Sequence, residues 1–112
     1  MIVFSSNGEA RGYDTFTSIT AATSFTAAKI SPSADAGTVG NKCRAVLITV
    51  ESGSINFTID GTTPTATAGT NIGHTLNAGD SMVISSFENV KRFLMINSED
   101  SNGVVVKATY MF

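Results

Sequence analysis

A chain of 112 residues supports one compact core and leaves no room for a second. Hydrophobic residues make up 42% of it and charged residues only 14%, with serine and threonine filling 28 positions. The net charge of −2 offers no positive field to hold a phosphate backbone, so nucleic acid is not an expected partner, and the single cysteine, Cys43, excludes an internal disulfide.

The first forty residues are small and polar. Their apolar residues are too sparse to line a continuous core face, so residues 1–40 read as an N-terminal extension or arm with edge strands at 16–19 and 24–30. The alanine pairs at 21–22 and 27–28 keep a helical turn open in this segment. Ser31-Pro32 ends that element, because proline restricts the residue before it and supplies no backbone donor, and residues 33–40 follow as a loop.

From Cys43 the pattern sharpens into period-two alternation, which predicts a β-sandwich core over residues 41–112. Val46, Ile48 and Val50 face one side and Ala45, Leu47 and Thr49 the other, a strand apolar enough for the interior of a sheet. Glu51, Ser52 and Gly53 turn the chain. Ile55, Phe57 and Ile59 then alternate with Ser54, Asn56, Thr58 and Asp60, giving a strand with one dry and one wet face. Asp60-Gly61 closes it, since glycine accepts a left-handed backbone and aspartate bonds to its own turn.

Strands at 72–76 and 81–86 flank Asn77, Ala78, Gly79 and Asp80, residue types suited to a tight hairpin. Residues 90–97 read as a further strand, followed by a polar loop ending at Asn102-Gly103. The last strand, residues 104–112, stays apolar to Phe112, which pins it into a sheet or between subunits. Together the elements predict an all-β fold, a two-sheet antiparallel β-sandwich of jelly-roll type. Phe25, Phe57, Phe87, Phe93 and Phe112 are expected to fill its interior.

Few residue patterns carry chemistry. His74 is the lone histidine, so one chain cannot assemble the several imidazoles that a metal-binding jelly roll uses. No metal site, cofactor or catalytic residue is assigned. Cys43 lies between Lys42 and Arg44, neighbours that favour thiolate, although its place in the alternation suits the core better. Asp35, Asp60, Asp80, Glu99 and Asp100 fit turns and caps rather than an acid–base pair. No P-loop, dinucleotide or nucleophile-elbow spacing is present, so the chain is not read as an enzyme. It has no apolar run of the about 18–20 residues that cross a bilayer, and it opens without the basic and apolar segments of a secretion signal. Membrane association is not expected. Asn56, Phe57 and Thr58 form a glycosylation sequon, but inside a strand.

Three groups of residues remain as candidates for recognition. The segment DGTTPTATAGTNIG presents Thr62, Thr63, Pro64 and Thr65 as a low-charge contact loop. Lys91 and Arg92, with Phe112, could border an interface, where charges would set register more than affinity. Tyr13 is the candidate for glycan contact, because sugar faces are read by exposed aromatic platforms.

The stretch from residue 43 onward resembles small structural proteins of tailed-bacteriophage and prophage particles. The residues that carry the likeness are Thr49, Val50 and Glu51, then Ile55, Phe57, Asp60-Gly61-Thr62 and Pro64-Thr65, then Gly73-His74, Leu76, Gly79-Asp80, Asn89-Val90 and Arg92-Phe93. The resemblance implies a capsid-decoration protein located in the virion, without an enzymatic site. Its partners would be copies of itself, with a trimer among the expected forms, and the major capsid protein or another virion protein. A carbohydrate- or host-surface-binding module of a tail or fibre is the alternative, and a small enzyme a more remote one.

Overall fold

A computed structural model of the chain describes residues 9–31, 42–66, 70–98 and 103–112. The expectations for Asp35, Glu99, Asp100, Asn102 and the loop at 33–40 lie outside these residues. Among the described residues, seven strands and two short helices follow one another as β1 (Ala10–Thr17), α1 (Ala27–Ile30), β2 (Ala45–Ser52), β3 (Ser54–Thr58), β4 (His74–Asn77), β5 (Ser81–Ser85), α2 (Phe87–Arg92), β6 (Leu94–Asn97) and β7 (Val105–Met111). They form two antiparallel sheets, one ordered β1-β7-β2-β5 and the other β4-β3-β6. The two-sheet all-β architecture expected from the alternation is the one observed.

The pairing is nested. β1 pairs with β7, Thr23 bridges Met95 of β6, β2 pairs with β5 and β3 with β4, so that early strands meet late ones in order from the outside in. β2 then also pairs with β7, and β3 with β6. A long antiparallel ribbon rolled onto itself in this way is a jelly roll. Its second strand has shrunk to a bridge: Thr23 and Met95 exchange backbone hydrogen bonds of 2.9 and 3.0 Å. Asn97 N–H donates to Ile19 O at 2.8 Å, and its side-chain Oδ1 accepts from Ile19 N–H at 3.0 Å. Residues 19–23 therefore cover the flank of β6 without forming a regular strand.

The core lies between the sheets. Val46, Ile48 and Val50 from β2 and Val106, Ala108 and Tyr110 from β7 face Ile55 and Phe57 from β3 and Met95 from β6, all nearly inaccessible to water. Each large apolar side chain so enclosed contributes about 1.5–3 kcal/mol relative to exposure. A chain of aromatic contacts crosses the interior. Phe25 stacks on Phe93 with centroids 4.6 Å apart, Phe93 stacks on Phe57 at 5.7 Å, and Phe25 meets the edge of Tyr110 at 5.8 Å. The five phenylalanines expected inside are buried or, for Phe87, half-buried against the core.

Several local expectations are corrected. Residues 24–30 form no strand: Phe25 enters the core and residues 27–30 make one helical turn, the reading that the alanine pair kept open. β1 starts at Ala10, well before residue 16. Residues 87–92 are helical, and the strand expected from residue 90 begins only at Leu94. Val90, buried on α2, packs as part of a helix face, while Lys91 and Arg92 stand in its last turn, where basic residues suit the carbonyl end.

The polar face of β3 is dry as well. Asn56 is 3% exposed and Thr58 7%, because the segment after β3 folds back over them. Asn56 Nδ2 donates to Thr65 O at 2.9 Å, Thr58 Oγ1 donates to Thr62 O, and Thr75 Oγ1 donates to Asn56 Oδ1 at 3.1 Å. Burying these groups is tolerable because each has a partner. The sequon asparagine is thus enclosed by its own chain.

A charged network fastens the N-terminal segment to the larger sheet. Asp14, on the inner side of β1, accepts hydrogen bonds from Lys29 Nζ at 2.7 Å and from Thr26 Oγ1 and Tyr110 Oη at 2.8 Å each. Burial alone would raise its pKa, but these three donors and the lysine charge outweigh burial and lower it. Burial and the adjacent carboxylate both push Tyr110 up.

Candidate functional site

Among the described residues a groove of about 450 Å³ lies at the end of the smaller sheet, where β3 runs out and β4 begins. One wall is Thr58, Ile59, Asp60 and Thr62, and the other is Ile72, Gly73 and His74. Gly73 sets their separation. It sits at φ 120°, and a Cβ there would stand 2.8 Å from Phe57 O, so only glycine lets the two backbones approach this closely. The Gly73 wall carries Ile72, 44% exposed, together with the exposed His74. The imidazole leans on Phe57 with ring centroids 5.4 Å apart.

Asp60 is held by its own turn. Its Oδ1 accepts the Thr62 N–H at 3.0 Å, with Gly61 supplying the positive φ of 89°. Hydrogen bonds from the Thr62 backbone and side chain, with a smaller contribution from the charge of Arg92, lower the Asp60 pKa and keep the carboxylate ionised near neutrality. Arg92 also pairs with Glu88 at 3.5 Å on α2. The turn thereby brings one of the sequence candidates, Thr62, onto a carboxylate that the sequence suggested only as a turn residue.

The other candidates are dispersed. Thr63 is exposed beside Thr62, Pro64 is buried as the anchor of the loop, and Thr65 bridges Ile72 across the loop neck. Lys91 is exposed on α2. Phe112, 8% exposed, packs in the chain's own core with the Arg11 guanidinium 5.8 Å from its ring centroid. Lys42 stands over the Phe87 ring at 5.2 Å, and Arg44 Nη2 donates to Phe112 O at 3.1 Å. Cys43 is fully buried, and burial pushes its thiol pKa up despite the basic neighbours. The thiolate that Lys42 and Arg44 would have favoured is not what the fold selects.

Tyr13 is 53% exposed on the outer face of the larger sheet, away from the groove's strands. Strand register aligns it with Thr109, Leu47 and Val83, one residue from each of the four strands. The neighbouring row is Thr15, Lys107, Thr49 and Ser81, with Lys107 paired to Glu51 at 2.5 Å. This outer face is therefore broad and low in charge.

No group of three or more histidine, cysteine, aspartate or glutamate side chains among the described residues could hold a metal ion. No helix among them is long and apolar enough to cross a membrane. No protein-family model, no curated protein and no solved structure matches the chain.

Proposed function

We propose that the chain is a structural protein of a tailed-bacteriophage particle, a decoration or stabilising subunit that self-associates and docks on other virion proteins. The observation that carries this reading is the outer face of the larger sheet. Tyr13, Thr109, Leu47 and Val83 form a continuous row across all four strands, and Leu47, Val83 and Thr109 are only partly covered by their own chain. Such a face gains from burial against another molecule with little charge to desolvate beyond the Glu51–Lys107 pair of the neighbouring row, which would orient the partner. Symmetric copies offer the simplest closed assembly for a self-complementary face. The resemblance of residues 43–112 to small virion proteins supports the assignment to a phage particle.

Two measurements test the reading. Mass spectrometry of purified particles should count this polypeptide in hundreds of copies for a shell component. Sedimentation should find an oligomer that Leu47→Asp or Val83→Asp dissociates while circular dichroism stays native. A monodisperse monomer at about tens of micromolar, without affinity for capsids or other virion proteins, would refute it.

A further inference from the structure

We propose that the groove between the end of β3 and the start of β4 binds a neutral saccharide, with Asp60 accepting its hydroxyl groups and Ile72 and the His74 ring receiving its C–H face. The inference does not depend on the assembly proposed above and concerns the opposite sheet. Its first support is construction. The groove volume of about 450 Å³ falls within the roughly 300–1,000 Å³ usual for small-molecule sites. Both walls are fixed by backbone, the Gly73 approach on one side and the Asp60–Thr62 turn on the other, so a ligand would not have to order them.

The second support is chemistry. A carboxylate already aligned by a backbone N–H is an acceptor suited to adjacent hydroxyl groups, which donate charge-assisted hydrogen bonds. Ile72 is one of two large hydrophobic side chains exposed among the described residues, and here it faces the same groove as an exposed imidazole. A carboxylate beside an apolar side chain and a flat ring matches a sugar, which is polar at its rim and apolar across its C–H face.

The test is a titration of the full chain followed by amide chemical shifts, using glucose, galactose, mannose and N-acetylglucosamine in turn at millimolar concentrations. Acetate and methylammonium serve as charged probes. At least one saccharide should shift amides within residues 58–62 and 72–74, with saturation in the millimolar range. Asp60→Asn keeps an oxygen for the Thr62 N–H and so preserves the turn, yet should weaken binding at least about tenfold through loss of a charged acceptor. Ile72→Ala, at an exposed position, should weaken it too, and Tyr13→Ala should leave it unchanged. The proposal is overturned if no saccharide shifts those amides, if only acetate or methylammonium does, if the shifts map to the Tyr13 face, or if Asp60→Asn and Ile72→Ala bind as well as the parent.

Discussion

Replacing Phe25 with alanine should destabilise the protein as strongly as any substitution in its centre. Phe25 is 2% exposed and touches three rings: Phe93 in a stack at 4.6 Å, Tyr110 edge-on at 5.8 Å, and Phe16 tilted at 6.3 Å. Lost transfer free energy and the cavity left behind amount to about 3–5 kcal/mol for a buried phenylalanine. Stacked and edge-on partners place Phe25 in the upper half of that range. A domain of this length loses about 4 °C of midpoint per kcal/mol, so the expected drop is roughly 16–20 °C. Against native total stabilities of about 5–15 kcal/mol, this loss removes a large share of what holds the fold. Thermal denaturation followed by circular dichroism reads the effect, with exposed Ser24→Ala as the control and Phe93→Ala as the benchmark. A shift for Phe25→Ala within that of Ser24→Ala would show that residues 18–31 detach without consequence, and the reasoning from stacking would fail.

Two further outcomes follow from the titrating groups. Because the Asp14 pKa is lowered in the folded state, its stabilisation is present above the unfolded value near 3.8 and is lost as pH falls through the folded value; Asp14→Asn should therefore lower the urea midpoint at pH 7, by about 1–3 kcal/mol of stability, and flatten its fall on acidification. Urea unfolding at pH 7 and pH 3 measures this, and equal pH dependence in parent and variant would contradict it. The Cys43 thiol is fully buried and has a raised pKa, so an aromatic disulfide reagent should label it only after denaturant unfolds the chain. Rapid labelling of the native protein would contradict its placement.

The parts legible in the sequence were those in which one face of a strand is uniformly apolar. β2 and β7 show this, since Val46, Ile48 and Val50 and then Val106, Ala108 and Tyr110 alternate without interruption and are all buried. β1 was hidden because its inward positions are Gly12, Asp14 and Phe16. A glycine packs on the Tyr110 ring and a carboxylate answers the Tyr110 hydroxyl, so neither registers as apolar. α2 was misread because Phe93, Leu94, Met95 and Ile96 form an apolar run that extends a strand pattern backward. The helix signal was Ser86 and Glu88 at its start with Lys91 and Arg92 at its end. The groove could not be read at all, for it depends on Gly73 crossing Phe57, a close approach between segments distant along the chain.

The nested pairing also governs the order in which the protein can fold. β7 lies between β1 and β2, so a ribosome delivering the chain from its N-terminus leaves the β7-facing edges of both strands open to water until residues 105–111 emerge. Closure over such long sequence separations is slow, and open strands are where nascent chains pair with the wrong neighbour. The small, polar make-up of residues 10–24 thus has a kinetic benefit: the strand that waits longest is the one with least grease to offer another chain.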